Sequence, residues 1–302
     1  MATIEALRTP EERFTDLEGY DFTPNYVEDL PGYEGLRLHY IDAGDDHAQE
    51  VFLCLHGEPS WSYLYRKMGP IFSAAGHRVV APDFFGFGRS DKPVSDATYT
   101  FDFHRRSLLA FIERLQLTNL TLVVQDWGGI LGLTLPMQLG ERVSRLLLMN
   151  TGLPTGEGPP SDGFIAWRDH CRAHPDLDVG ALMARSIEGL GERERAAYDA
   201  PFPDARYKAG VRRFPEIVPI TPIMSGAELC KRAQGWLATH WRGPVFMAVG
   251  MKDPVLGPAV MEQLRRGIPG CPPPLEVPDG GHFVQEHGEG IARAALEAFG
   301  LD

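Results

Sequence analysis

Val123-Val124-Gln125-Asp126-Trp127-Gly128-Gly129 joins a continuous apolar run to a polar residue followed by two glycines, and a helical pattern comes next. A buried strand that turns sharply into a helix lifts the residue at the apex out of the sheet. This is the strand, tight turn and helix of a nucleophile elbow, with Asp where such turns more often carry Ser. A carboxylate of ordinary pKa, near ~4, is already ionised at pH 7 and attacks without a base. Asp126 is therefore read as a nucleophile that displaces a leaving group from saturated carbon and forms an alkyl ester. The plainer reading is an Asp that caps the helix behind it.

Working outward, Val51–Leu55, 77–82, Leu120–Gln125, 145–149 and Val245–Gly250 are short, nearly unbroken apolar runs. That pattern is expected of parallel strands buried on both faces. Segments 26–29 and 36–42 alternate instead and read as antiparallel edge strands. Helical spacing of apolar residues marks 61–75, 101–115, 130–139, Pro258–Arg266 and 289–299. Strand and helix alternate, which predicts an α/β fold with a mostly parallel, doubly wound sheet. The alternation stops between about 152 and 231, where helix-like segments at 164–172 and 179–190 follow a Gly/Pro-rich entry. The expected organisation is a core domain of residues 1–151 and 232–302 with an inserted helical cap at 152–231.

The remaining chemistry falls at the carboxyl ends of strands, where open parallel sheets carry their sites. Gly280-Gly281-His282-Phe283 follows the short run Leu275–Val277, and Met251-Lys252-Asp253 follows Val245–Gly250. The expected triad is Asp126, Asp253 and His282, in the chain order of α/β-hydrolases. Asn150, after the strand at 145–149, cannot hold a histidinium by charge. Asp279 lies close to His282 in sequence and reads as a turn residue. His56-Gly57-Glu58-Pro59 follows the first buried strand, so the backbone N–H groups of Glu58 and Trp127 are the expected oxyanion hole.

Hydrophobic residues at 43% and charged residues at 23% allow a sizeable core without staples. A formal charge of -12 argues against nucleic acid and anionic membrane as partners, since both need clustered cations. Charged residues interrupt the first twenty positions, and no apolar run is long enough to span a bilayer. Cys54, Cys171, Cys230 and Cys271 are scattered, with neither metal-ligand nor redox spacing, and read as reduced thiols. The expectation is a soluble, cytoplasmic, monomeric enzyme that uses no cofactor or metal.

The motifs HGEPSWSYLYRKM, APDFFGFGRSDKP, LVVQDWGG, DGFIAWR, APFPD, FMAVGMKD and GGHFVQE resemble those of the haloalkane dehalogenases of the α/β-hydrolase superfamily, over essentially the full chain. The resemblance implies a small haloalkane as substrate, water as co-substrate and halide as product. It also implies a halide site of two indole N–H donors, Trp127 and Trp167. Other branches of the family place an Asn amide where Glu58 stands; an ionised Glu repels halide, so the second donor has to come from elsewhere. Phe164 and Phe202 are candidate pocket-lining residues, and Glu58 is a candidate for positioning the hydrolytic water. QDWGG and HGxP occur also in epoxide hydrolases. That alternative needs an acid for the epoxide oxygen, for which Tyr198 and Tyr207 are the candidates. A binding receptor that has lost turnover is a more distant alternative.

Overall fold

The computed structural model describes residues 4–302. Its strands are β1 (Ala6–Leu7), β2 (Asn25–Val27), β3 (Leu38–Ala43), β4 (Val51–Leu55), β5 (Arg78–Pro82), β6 (Lys92–Pro93), β7 (Leu120–Gln125), β8 (Val143–Met149), β9 (Val245–Gly250) and β10 (Leu275–Val277). Eight of them form one sheet in the order β10-β9-β8-β7-β4-β5-β3-β2, while β1 and β6 pair separately. Strands β4, β5, β7, β8, β9 and β10 run parallel. Of the two edge strands predicted from alternation, β2 is the sheet edge, whereas β3 lies inside the sheet, antiparallel to both β2 and β5. Every residue of β4, β7 and β9 is buried, which explains why these strands read as unbroken apolar runs.

The helices are α1 (Gly69–Ala74), α2 (Phe101–Arg114), α3 (Trp127–Gly132), α4 (Pro136–Leu139), α5 (Asp162–Ala173), α6 (Val179–Ser186), α7 (Glu192–Asp199), α8 (Ala209–Ile217), α9 (Ala227–His240), α10 (Pro258–Arg266) and α11 (Gly288–Phe299). Two expected helices are broken. The stretch 61–75 is a 3-10 turn, Ser62–Tyr65, followed by α1, which Pro70 opens near its first turn. The stretch 130–139 divides into α3 and α4 because Pro136 has no N–H to continue the first ladder.

Between β8 and β9 the chain forms helices and no strand among the described residues. Helix α8 escaped the sequence reading because Pro215 lies inside it, and α9 because Gly235 interrupts its pattern. The expected boundary at 231/232 falls within α9. Buried Cys230, Ala233 and Leu237 of that helix face the core. Helix α7 is tied to the core by Arg66, which is almost wholly buried. Its guanidinium donates to both Glu286 oxygens at 2.6 and 2.8 Å and to Glu194 of α7 at 2.5 Å.

The topology places the site. From β4 the chain passes to β5 on one side, whereas β7, β8, β9 and β10 lie on the other. Strand order therefore reverses between β4 and β7, and the crevice beyond their carboxyl ends is where an open α/β sheet binds its ligands. Helix α3 starts hard against that crevice because Gly128 and Gly129 have no side chains. A Cβ on Gly128 would lie 1.9 Å from the Leu55 carbonyl oxygen, and one on Gly129 2.0 Å from Thr151 Oγ1. Gly128→Ala is accordingly expected to cost roughly 1–3 kcal/mol or more. Thermal melts of this variant should show the transition shifted down by about 2–4 °C per kcal/mol; an unchanged Tm would contradict the close approach.

Candidate active site

Asp126 follows β7 with φ 49° and ψ −125°, a conformation that L side chains rarely adopt. Two hydrogen bonds over-determine it: its N–H donates to the Asn150 carbonyl at 3.0 Å, and its own carbonyl accepts the Thr151 hydroxyl at 2.8 Å. Such strain is held where function requires a side chain at an apex. The carboxylate oxygens then face different partners. Oδ1 accepts the Glu58 backbone N–H at 2.9 Å, and Oδ2 lies 3.7 Å from His282 Nε2. The helix-capping bond of the plainer reading is not made by the Asp126 side chain. Burial raises the pKa of Asp126 above the usual carboxylate range, while His282 and the amides of Trp127 and Glu58 oppose that rise.

His282 and Asp253, 29 residues apart, meet at 2.9 Å between Nδ1 and Oδ2. Burial alone would depress the imidazolium, but Asp253, through its charge and its hydrogen bond, and Asp126 outweigh it and carry the pKa up to about 9. The same pairing lowers the Asp253 carboxyl against the effect of its own burial, helped by the N–H groups of Val255 and Leu256 at 2.8 and 3.1 Å. Asp279 is exposed and paired with Lys252 at 3.0 Å, which removes it as a competing acid.

Two polar residues complete the constellation. Asn150, considered only as a rival acid, donates from Nδ2 to Asp253 Oδ2 at 2.9 Å and accepts the Gly250 N–H on Oδ1 at 2.8 Å. It thus joins the ends of β8 and β9 and fixes the carboxylate that orients His282. Gln125, one residue before the nucleophile, places its amide nitrogen 3.0 Å from His282 Nε2 and 3.1 Å from the His282 carbonyl. That contact places Gln125 against the same ring nitrogen that faces Asp126. The only available signal for either role was position at the rim of the sheet.

A cavity of about 1440 Å³ opens over these groups. Glu58, Asp126, Trp127, Phe164, Trp167 and His282 all line it. The tryptophans separate cleanly: Trp61 is wholly buried and donates to the Ala197 carbonyl at 3.2 Å, and neither it nor Trp236 or Trp241 lines the cavity. Phe202 requires correction as a lining residue. It is buried in an edge-on contact with Phe87, 6.4 Å between ring centroids, away from the cavity wall. Periodicity cannot distinguish a phenylalanine that faces a pocket from one that faces the core.

The argument built on an ionised Glu58 also needs correction. The side chain is buried, and desolvation together with the charge of Asp126 raises its pKa well above the usual carboxylate range, with Trp167 pulling the other way. With its carboxyl shifted towards the neutral form, repulsion of halide by Glu58 does not carry the case for Trp167, which rests on its place in the cavity. The candidate epoxide acids fare worse. Tyr198 is spent on Glu286 and Arg66, and neither it nor Tyr207 is among the described residues lining the cavity.

Comparison with known proteins agrees with this geometry. Residues 50–289 match the model of the alpha/beta hydrolase fold family. A haloalkane dehalogenase of Psychrobacter cryohalolentis is 42% identical over 301 residues, covering 97% of this chain and 98% of its own. One from Mycobacterium marinum is 42% identical over 289 residues, covering 94% and 95%. Among solved structures, the tetrameric haloalkane dehalogenase of Paraglaciecola agarilytica superposes with a TM-score of 0.96 at 51% identity, covering 98% of this chain and 99% of that one.

Proposed function

The chain belongs to the haloalkane dehalogenases of the α/β-hydrolase fold, and on that premise we propose that Asp126, His282 and Asp253 carry its reaction through an alkyl-enzyme ester. It hydrolyses the carbon–halogen bond of haloalkanes to an alcohol, a halide ion and a proton. The observation that carries the residue assignment is the division of labour at Asp126, with one oxygen held by the Glu58 amide and the other turned towards His282.

In the first step Asp126 Oδ2 attacks the halogen-bearing carbon from the side opposite the halogen. The carbon–halogen bond breaks and its electron pair leaves with the halide, which the Trp127 and Trp167 indole N–H groups receive. Ester formation removes the charge on Asp126, so His282 loses one of the two anions that raise its pKa. Its Nε2 then takes a proton from water, and the hydroxyl attacks the ester carbonyl. The Glu58 and Trp127 amides stabilise the oxyanion that results, an interaction worth about 3–4 kcal/mol per donor in comparable sites. Collapse of the oxyanion breaks the bond between the carboxyl carbon and the alkyl oxygen, His282 returns its proton to the departing alcohol, and the regenerated Asp126 carboxyl gives up the product proton.

Helices α5 and α6 contribute Phe164, Trp167 and Leu182 to the cavity wall, which supports reading 152–231 as a cap over the sheet. The cavity exceeds the roughly 300–1,000 Å³ typical of small-ligand sites. Haloalkanes several carbons longer than a dihaloethane therefore belong in its range. The monomer reading rests on the lack of an extended apolar surface stripe: among the described residues the exposed large hydrophobic side chains are Ile223 and Leu275. Four buried, unpaired cysteines suit a reducing cytoplasm. Among the described residues, no helix is long and apolar enough to cross a membrane.

Halide release from a series of brominated and chlorinated alkanes, run beside diol formation from matched epoxides, tests this function. Bromide release without diol is the expected outcome. Diol formation at comparable rates would move the assignment to epoxide hydrolysis.

A further inference from the structure

We propose that the Glu58 side chain completes the halide site as a neutral carboxylic acid, its O–H donating to the departing halide beside the indoles of Trp127 and Trp167. The inference rests on the tryptophan pair being the halide site. The carboxyl group lies in a residue only 5% exposed, on the wall of the cavity shared by Asp126, Trp127 and Trp167. Its Oε1 finds no hydrogen-bond partner among the described residues. A buried polar atom left unpartnered beside a cavity points to a ligand that satisfies its group.

The charges around it favour the acid form. The backbone N–H of Glu58 holds Asp126 Oδ1 at 2.9 Å, and both side chains line the same cavity, where the Asp126 charge acts on the Glu58 carboxyl. The nearby cation, His282, is taken up by Asp253 and Asp126. Trp167 and Cys171 of α5 face the group from the cap and bring no positive charge. Two carboxylates in such a setting do not both ionise. Burial and the Asp126 charge raise the Glu58 carboxyl and outweigh the hydrogen bond from Trp167, which acts the other way.

In the acid form the side chain offers a donor on the cavity wall that it shares with Trp127 and Trp167. No proton is transferred during displacement: the carbon–halogen electron pair leaves with the halide, and Glu58 keeps its hydrogen. The sign of the pH dependence follows. Below the raised pKa the O–H is present and halide is held; as pH rises through that pKa, the donor becomes a carboxylate that repels halide, and binding weakens.

Bromide titrations followed by tryptophan fluorescence, from neutral to alkaline pH, test the proposal on the whole enzyme and its Glu58→Gln and Glu58→Leu variants. Neither substitution alters the Glu58 backbone N–H. The wild type should lose affinity about tenfold per pH unit above the Glu58 ionisation. Glu58→Gln, which keeps a neutral donor, should bind bromide near the wild-type affinity at neutral pH and lack that Glu58-dependent limb. Glu58→Leu should bind roughly tenfold or more weakly, the scale of one hydrogen bond to an ion. An identical alkaline limb in wild type and Glu58→Gln would assign it to His282 and overturn the proposal, as would full affinity in Glu58→Leu. If bromide quenches none of the three, the tryptophan-pair reading falls as well; quenching that ignores Glu58 removes this inference alone.

Discussion

Asp126→Ala is expected to abolish halide release, with a loss in kcat on the order of 10⁶-fold, the scale found when a hydrolase nucleophile is removed. Without the carboxylate there is no ester, and the remaining amides and indoles have nothing to stabilise. Because the alanine must adopt the same positive φ, its Tm should be compared with that of the wild type. Asp126→Asn keeps an oxygen for the Glu58 amide and avoids most of that risk. Both variants should bind bromide and release none from a bromoalkane. Retention of more than a trace of turnover in either, beyond what contaminating wild type explains, would remove Asp126 from the first step.

Asp253→Asn should reduce kcat by roughly 10³–10⁴-fold, as loss of a histidine-orienting carboxylate does elsewhere. The reduction should fall on the second step. A rapid quench is expected to show a burst of about one halide per active site before a slow steady state. The pH profile gives an independent readout. His282 sits up at about 9 because Asp253 and Asp126 together overcome its burial. Hydrolysis needs the neutral ring, so in the wild type the rate rises with pH as the imidazolium loses its proton. In the ester this occurs below the resting value, because Asp126 is no longer charged. Removing Asp253 takes away the larger support, so the rising limb should move to lower pH while the plateau drops. A limb that stays in place would mean that another group titrates.

How much of this was legible in the sequence depended on how local each cause was. Strands such as Val51–Leu55 and Val245–Gly250 are apolar at every position because both faces are covered, and that is visible without coordinates. Asp126 and Asp253 could be found because each follows such a strand, and His282 because Gly280-Gly281 sets it after the short, largely exposed β10; the sheet brings the three ends together. Asn150 was visible as a residue but not as a role. Its amide acquires meaning only from a carboxylate 103 positions away. Gln125 is hidden in the same way, since its contact with His282 spans 157 positions. Glu58 differs: its place after β4 is visible in the sequence, but the upward shift of its carboxyl is not, because that depends on burial and on Asp126. Phe202 and the helices around Pro215 and Gly235 lie between β8 and β9, where patterns are short and tertiary packing decides.

The central claim is that Asp126 becomes esterified and that His282 acts only afterwards. Intact-mass measurement of His282→Ala after incubation with 1,2-dibromoethane tests it most directly. The account predicts a stable mass increase of one bromoethyl group, mapped to the peptide that carries Asp126, together with about one bromide released per enzyme. Normal turnover by His282→Ala, or the same adduct on an Asp126→Ala/His282→Ala double variant, would contradict it.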